Sequence, residues 1–477
     1  MASGARPLAA VAVLFTAAQL VLVVPGSGLG WDEAVYASQV SPYVPAAFFS
    51  APRARGVTLL AAPAAVLTED PLGLRVWFAL LSGLALFVSF RVWRAVLPAA
   101  VVATAAALFA GLWVTVLYGP QVMPNLWVAF GAVAAVGFFL RPAVPASYAG
   151  LAAAMAFVAL MRPSDAFWLS LPLAAAALAF RTPGRLVPLA AGAVLGAAPW
   201  VVEAYLRYGG LAGRLRRAGE IQGGLGGRFA FGAQLRALGG RTLCRPCDVP
   251  LSWDRAVTSL WWFLVPVAVA AGLVLARRHR RPLVLATAAA AFLAVPYLLL
   301  IGYAAPRFLL PAYALLALPA AQALVHAVRA WRGPALVALA VALTAHTAVQ
   351  YAVLVSAADR HRAVRVAFAR TAAELYRRGV RPPCTVSGHE AVRVAYALRC
   401  SSRQVGGHDA SIGARELQAL TCRRPVVFLT PGTTPPPAFA RAWRPHALPP
   451  LPGTPALRAY LPPACGPQPQ GQGQGHG

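Results

Sequence analysis

Lysine is absent from the 477 residues, and only 14 residues are acidic, so charged residues make up 12% of the chain against 59% hydrophobic residues. Soluble domains carry about 25% charged residues, and this composition therefore excludes a soluble domain. The formal net charge of +28 rests on Arg alone. Together with the load of Ala, Gly and Pro, this Arg excess indicates GC-rich coding rather than a binding surface, and no nucleic-acid partner is expected.

Three motifs of nucleotide and hydrolase chemistry are also missing. The sequence contains no Walker motif, no Gly-rich dinucleotide fingerprint and no hydrolase nucleophile elbow. Chemistry on a nucleotide sugar at the inner membrane face is therefore not supported.

Long apolar windows separated by Arg, Gly and Pro fill most of the chain. A helix that crosses the hydrocarbon layer needs about 20 mostly apolar residues, and about eleven windows approach this length. The sequence therefore predicts an α-helical polytopic membrane protein. The windows are residues 8–25, 74–90, 96–117, 124–140, 146–161, 167–180, 186–202, 256–276, 282–301, 308–325 and 334–355.

The cations of the short loops predict the orientation, because Lys and Arg in such loops stay on the cytoplasmic side. One set of loops holds Arg91, Arg94, Arg141, Arg181, Arg185, Arg277, Arg278, Arg280, Arg281, Arg329 and Arg332, whereas the opposite set holds only Arg162 and Arg307. We expect a multi-pass plasma-membrane protein with a cytoplasmic N-terminus and an extracytoplasmic C-terminus. All six cysteines and all 14 acidic residues then fall on the outer side.

The composition becomes Arg-rich and mixed after residue 355. Helical patterns at 359–379 and 389–398, with strand-like runs at 384–387 and 425–429, predict a small extracytoplasmic α/β domain over residues 356–466. Residues 467–477 are rich in Gln and Gly and are expected to be disordered. Residues 1–355 form the predicted membrane domain.

The cysteines fall into two groups. Cys244 and Cys247 have the spacing of a redox or zinc half-site, but no second pair lies nearby in sequence, which favours a small disulfide loop. Cys384, Cys400, Cys422 and Cys465 allow three pairings if they form two bridges.

Two adjacent carboxylates follow the first window, in the string Trp31-Asp32-Glu33-Ala34-Val35-Tyr36. Charges at the membrane surface are costly unless they are solvated or used. One interpretation is that Asp32 or Glu33 caps a short interfacial helix. The other is that the pair carries chemistry at the outer face.

The pair and its position resemble the C-type glycosyltransferase superfamily, more narrowly the branch of protein O-mannosyltransferases and lipid A aminoarabinose transferases. Supporting strings are Arg162-Pro163 and Arg307-Phe308-Leu309-Leu310-Pro311. The resemblance implies transfer of a sugar from a polyprenyl-phosphate carrier to an acceptor hydroxyl, with inversion. It makes Asp32 the candidate base, with Glu33 orienting the base or the acceptor. Tyr36 is a secondary candidate.

A phosphate leaving group needs cations at the interface, and Arg suits it because its planar fork binds phosphate through two hydrogen bonds. The donor-phosphate candidates are Arg53, Arg55, Arg162 and Arg307. For Arg53 and Arg55, contact with solvent or lipid headgroups is an equal alternative. Glu69 and Asp70 either line the same cavity or cap a helix, and Asp165 either takes part in the site or forms an ion pair with Arg162.

The resemblance thus implies a hexosyl- or pentosyltransferase of the cell envelope that acts at the outer membrane face on a polyprenyl-phosphate sugar and on a protein, glycan or lipid hydroxyl. The lipid bilayer is the other expected partner. No cofactor is expected to be required, and no metal site is assigned because no cluster has ligand spacing, although a divalent metal stays open. The alternatives are a transporter or flippase of lipid-linked saccharides, and an inactive relative that acts as a binding scaffold.

Overall fold

The computed structural model describes residues 5–224, 226–245, 247, 250, 253–432, 434–452 and 456–463, with the backbone alone for 253–256. The helices are α1 Arg6–Ala18, α2 Trp31–Ser38, α3 Gly56–Leu67, α4 Pro71–Val92, α5 Ala99–Ala110, α6 Trp113–Tyr118, α7 Pro124–Leu140, α8 Pro145–Met161, α9 Pro163–Ala179, α10 Leu186–Tyr208, α11 Leu211–Ile221, α12 Phe231–Ala237, α13 Trp253–Leu275, α14 Arg280–Val295, α15 Leu310–Ala330, α16 Pro334–Arg377, α17 Ala391–Leu398 and α18 Ala414–Leu420.

The chain divides into two compact units. Unit 1 comprises Met1–Ser27 and Ala51–His361, and unit 2 comprises Gly28–Ser50 and Arg362–Gly477. The sequence-based division placed all of residues 1–355 in one membrane domain. In the structure, the segment that carries Asp32 and Glu33 groups with the C-terminal part of the chain instead. The predicted disordered tail lies outside the described residues.

Seven helices of the described chain are long and apolar enough to cross a membrane, and shorter apolar helices accompany them. The prediction of a helical, multi-pass membrane protein with a small C-terminal sheet domain is confirmed. The exact number of eleven spans stays a prediction. The seven are Arg6–Val23, Pro71–Ala95, Pro183–Tyr208, Val257–Leu275, Arg280–Leu300, Pro306–Ala330 and Pro334–Arg377.

Three elements differ from their sequence-based outlines. The window 96–117 is two helices, α5 and α6, which separate at Gly111. The connection between the first two windows, residues 26–73, contains α3, whose 12 residues are too few for a span. Helix α16 runs for 44 residues without interruption, so that the predicted span 334–355 and the predicted helix 359–379 belong to one element.

Proline sets the start of several helices. Pro71, Pro124, Pro145 and Pro163 occupy the first turn of α4, α7, α8 and α9, respectively. The first-turn N–H groups have no partner inside the helix, so a residue without an N–H costs nothing there, and its fixed φ suits the helix. The residue before each proline is held in extended backbone, and at Arg162 this ends α8 directly before α9 begins.

Helices α8 and α10 of unit 1 pack closely through small residues. A Cβ added to Gly196 would lie 2.0 Å from the carbonyl oxygen of Ala156, and one added to Gly192 would lie 2.3 Å from that of Ala152. Small residues four positions apart on both helices let the two backbones meet, as in membrane helix pairs of the small-xxx-small type. A side chain at either glycine would force the helices apart.

Unit 2 contains a five-stranded sheet in the order β2-β1-β3-β5-β4. The strands are β1 Thr385–Gly388, β2 Ser401–Ser402, β3 Val426–Pro431, β4 Arg444–Ala447 and β5 Leu457–Leu461. Strand β1 pairs in parallel with β2 and β3, whereas β5 pairs antiparallel with β3 and β4. Helix α17 and the last turns of α16 pack on one apolar core with this sheet.

Candidate functional site

The acidic pair of the first loop lies on α2, in unit 2. Gly30 precedes the helix in extended backbone, and its N–H donates a hydrogen bond of 2.8 Å to Oε2 of Glu33. Glu33 is 2% exposed. Its hydrogen bond to Gly30 caps the first turn of the helix, as the capping interpretation expected. Asp32 is half-buried in the same turn, so its carboxylate is the more accessible of the two.

Tyr36 lies one turn further along α2. Its side chain is buried, and its ring packs edge-to-face on Phe49 with 5.9 Å between the ring centroids. The aromatic contact fixes α2 against the loop that follows it. Within unit 2, α2 also packs on α17. The structure therefore gives Tyr36 a packing role in positioning the helix that carries Asp32.

Arg162 stands at the corner between α8 and α9, in the extended backbone that the following proline imposes. Its Nε lies 3.4 Å from Oδ2 of Asp165, one turn into α9. Asp165 is 1% exposed, and its Oδ1 accepts a hydrogen bond of 2.5 Å from the hydroxyl of Tyr297. The ion pair with Arg162 that was one of the two interpretations of Asp165 is therefore present. Tyr297 adds a hydrogen bond to the same carboxylate.

Phe308 brings Arg162 and Arg307 to one place. The Arg162 guanidinium carbon lies 5.9 Å from the centroid of the Phe308 ring, and that of Arg307 lies 5.2 Å from it. The two guanidinium groups are therefore within about 11 Å of each other. Phe308 also stacks on Tyr297, with centroids 4.8 Å apart. Cations next to aromatic faces gain electrostatic attraction from the ring quadrupole.

Arg307 is held from a second side by the segment around Cys244. Its Nη1 donates to the carbonyl of Thr242 at 3.0 Å and lies 3.4 Å from the hydroxyl of Tyr118. The backbone of Cys244 pairs with that of Ala304 through hydrogen bonds of 2.8 and 3.2 Å. The loop that begins at residue 242 is thus fastened to the turn that carries Arg307.

A third arginine joins the same aromatic group. The guanidinium carbon of Arg245 lies 4.7 Å from the ring centroid of Tyr303, and this ring meets Phe308 at 5.7 Å. Arg162, Arg307 and Arg245 with Tyr297, Tyr303 and Phe308 form what we call the arginine–aromatic cluster. Asp165 contributes a carboxylate to the same group through its ion pair with Arg162. Guanidinium groups gathered in this way suit an anionic ligand, because their planar forks bind phosphate oxygens through paired hydrogen bonds.

Arg53 and Arg55 belong to a different group, centred on Glu203 at the end of α10. Arg55 forms an ion pair of 2.6 Å with Oε1 of Glu203, and Arg214 of α11 forms one of 3.0 Å with Oε2. Arg53 contributes its backbone carbonyl, which accepts a hydrogen bond of 2.9 Å from Arg214. The guanidinium of Arg55 is thus already held by a carboxylate.

Arg214 is the residue that holds this group together. Its side chain is fully buried and also donates to the carbonyls of Ala51 at 3.0 Å and Trp200 at 2.6 Å. Its guanidinium lies over the Trp200 ring at 4.3 Å. Burial lowers the pKa of Arg214, and the Glu203 carboxylate opposes this shift. One buried cation therefore fixes residues 51–53 against α10.

The two groups are close to each other in unit 1. Gly56, the residue after Arg55, lies so near α8 that an added Cβ would be 2.6 Å from the carbonyl oxygen of Leu160. Leu160 is two residues before Arg162. The start of α3 and the corner that carries Arg162 are therefore neighbours, whereas the Arg55 guanidinium is directed to Glu203.

Asp70 caps α4, because its Oδ1 accepts a hydrogen bond of 2.9 Å from the N–H of Leu72. Both Asp70 and its neighbour Glu69 are exposed. The interpretation of Asp70 as a helix cap therefore accounts for its position. Nothing described in the structure brings Glu69 to the arginine–aromatic cluster.

Cys244 and Cys247 form the expected disulfide loop, and Cys384 pairs with Cys400. Cys422 is also disulfide-bonded, whereas Cys465 lies outside the described residues. In the described part of the chain, no three His, Cys, Asp or Glu side chains group closely enough to hold a metal ion.

Sequence reasoning did not find Tyr297, Arg245, Glu203 or Arg214. Glu203 carried a usable signal, because an acidic residue at the end of an apolar helix is costly unless it is paired. The other three had none, since Tyr and Arg at loop or helix ends are ordinary, and their partners lie far away in sequence.

No family model matches the sequence, and no curated protein matches it. Among solved structures, the chain is similar to ArnT from Cupriavidus metallidurans bound to undecaprenyl phosphate, with a TM-score of 0.67, 14% identity, and coverage of 98% of this chain and 100% of that one. ArnT from the same organism in the apo state gives 0.64 at 14% identity, with coverage of 96% and 98%. The chain therefore has the fold of ArnT, which is the fold that the resemblance noted in the sequence implied.

Proposed function

We propose that this protein is a membrane glycosyltransferase that moves a sugar from a polyprenyl-phosphate carrier to an acceptor hydroxyl at the outer membrane face, with inversion. The observation that supports it most is the meeting of Arg162 and Arg307 on Phe308. The similar ArnT structure is bound to undecaprenyl phosphate, an anionic lipid of the proposed donor class.

The arginine–aromatic cluster would hold the carrier phosphate. When the bond between the sugar and the phosphate oxygen breaks, the leaving phosphate gains negative charge. Guanidinium groups fixed before the reaction stabilise this charge without reorganising, and they act more strongly where water is excluded. In this proposal Arg162, Arg307 and Arg245 supply the positive charge that stabilises the leaving phosphate.

Asp32 would act as the general base. It removes the proton of the acceptor hydroxyl while the acceptor oxygen attacks the sugar carbon from the face opposite the phosphate, which inverts the configuration. Glu33 would orient this base, since its hydrogen bond to Gly30 fixes the first turn of α2.

The experiment is a sugar-transfer assay with the purified full-length protein, a panel of polyprenyl-phosphate sugars and a panel of hydroxyl acceptors. We expect one donor to be consumed with formation of an inverted glycoside, and the rate of product formation to fall about 10²- to 10⁴-fold in the Asp32→Asn variant. A transporter or flippase would move lipid-linked saccharide across liposomes without forming a glycoside. That result would refute the proposal.

A further inference from the structure

Four arginines surround the connection between α13 and α14 in unit 1. Arg277, Arg278, Arg280 and Arg281 are exposed, and the sequence has no acidic residue between Asp254 and Asp359. In the described part of the chain, none of the four forms an ion pair with a carboxylate. Such a concentration of positive charge at a membrane surface attracts anions.

These arginines form the rim of an apolar groove of about 910 Å³ between the second half of α9 and the first half of α14. The α9 wall is Pro172, Ala175, Ala176, Ala179 and Phe180; the α14 wall is Pro282, Val284, Leu285, Ala288 and Phe292. Phe180, Val284 and Phe292 stay 42%, 47% and 37% exposed. The apolar walls therefore have room for a ligand.

The length of the groove matches one leaflet of a bilayer. The ten residues from Pro282 to Phe292 rise about 15 Å along α14, and half of a hydrocarbon layer of about 30 Å is the same length. The arginine rim lies at one end of the groove. A ligand that fits has an anionic headgroup and a hydrocarbon chain of about leaflet depth.

The groove is separate from the arginine–aromatic cluster. Asp165 at the start of α9 meets Tyr297 just beyond the end of α14, whereas Phe180 and Arg280 mark the opposite ends of the same two helices. The fifteen residues from Asp165 to Phe180 extend about 22 Å along a helix. The groove thus lies at the other membrane surface from the proposed phosphate site.

We propose that this groove binds one anionic phospholipid of the leaflet opposite the catalytic face, with its phosphate on the arginine rim and one acyl chain between α9 and α14. Charge complementarity selects the ligand, because a zwitterionic headgroup offers the four guanidinium groups no net charge. Basic pockets between membrane helices hold anionic headgroups in this way. The proposal does not depend on the transferase activity.

The test measures the thermal unfolding midpoint of the full-length protein in detergent while phosphatidylglycerol is titrated, with phosphatidylcholine of the same acyl chains as the comparison. We expect saturable stabilisation by phosphatidylglycerol. Arg278→Gln combined with Arg280→Gln should weaken its apparent affinity about 25-fold, since each cation near an anionic surface contributes about fivefold. The control combines Arg329→Gln with Arg332→Gln, which removes equal charge from another loop. It should change the apparent affinity for phosphatidylglycerol less than about threefold.

A second variant tests the groove itself without changing charge. Ala179→Trp would fill the space beside Phe180 and should abolish saturable stabilisation, whereas Val194→Trp, at a 68% exposed site on α10, should leave it intact. Equal stabilisation by both lipids would refute the proposal. Equal losses of phosphatidylglycerol affinity in the two double-arginine variants would also refute it, because they would indicate a general attraction of the lipid to the charged surface. Stabilisation by glycerol 3-phosphate alone would identify a free phosphate ligand instead and would refute a lipid site.

Discussion

The hydroxyl of Tyr297 donates a hydrogen bond of 2.5 Å to Oδ1 of Asp165, across 132 positions of the sequence. This bond joins the start of α9 to the π-helical turn Pro296–Leu300 that follows α14. The same carboxylate pairs with Arg162, whose guanidinium lies over the Tyr297 ring at 5.4 Å. A structural contact between two helices thus also sets the position of a candidate phosphate ligand.

Tyr297→Phe should therefore lower both stability and donor binding. Removing the hydroxyl leaves a buried carboxylate oxygen without its donor, which costs about 1–3 kcal/mol. The measurements are the thermal unfolding midpoint and the donor dissociation constant. Tyr351→Phe, at a 55% exposed position on α16, is the control and should change neither. A Tyr297→Phe variant with normal stability would contradict the importance of this bond.

Arg307→Leu should weaken binding of the donor far more than it weakens folding. A charge-assisted hydrogen bond contributes about 1.5–3 kcal/mol, so the dissociation constant should rise roughly 10- to 150-fold. Arg91→Leu, which removes an exposed arginine from another short loop, serves as the matched control. Unchanged donor affinity in Arg307→Leu would leave Arg307 with a structural role only.

Asp32→Asn keeps the size of the side chain and removes its basic oxygen. If Asp32 is the general base, turnover should fall about 10²- to 10⁴-fold, while the unfolding midpoint and donor binding stay nearly constant. If it only caps α2, Asn would replace it with similar strength. Glu416→Gln, an exposed acidic position on α18 in the same unit, controls for the loss of one charge. Turnover near that of the wild type would remove Asp32 from the mechanism.

Two arginines of α11 provide a stability test within one helix. Arg214→Gln breaks an ion pair whose arginine is fully buried and should cost about 3–5 kcal/mol. Arg217→Gln breaks the half-exposed pair with Glu220 and should cost less than about 1 kcal/mol. Arg214→Lys should also destabilise, because a single ammonium cannot reach all the carbonyls that the guanidinium fork reaches. Equal unfolding midpoints for Arg214→Gln and Arg217→Gln would show that the buried contacts add little.

The orientation predicts the chemical state of the C-terminal cysteines. On intact cells, an impermeant maleimide should label the exposed Cys422 only after an impermeant reductant has opened its bridge. Thiols that are free and protected by the membrane would reverse the proposed topology.

Patterns within one element were predictable from the sequence. The apolar windows located the membrane helices, and alternating runs located β1 and β3, because periodicity is a local property. Arg162 and Arg307 were found because cations are rare in their set of loops. Arg245 and Tyr297 were not found, since their roles arise from rings and carbonyls brought together by packing. The position of α2 was also missed, because chain order places residues 28–50 between two membrane helices while the fold groups them with residues 362–477.

The contact between α8 and α10 has an entropic side. Glycine and alanine have no side-chain rotamers to lose when they are buried, whereas longer side chains lose up to about 2 kcal/mol each. Gly192 and Gly196 meet the carbonyls of Ala152 and Ala156 directly, so these two contacts cost no side-chain entropy. An alanine- and glycine-rich composition, which provides little bulk for packing, can therefore still hold a membrane bundle together.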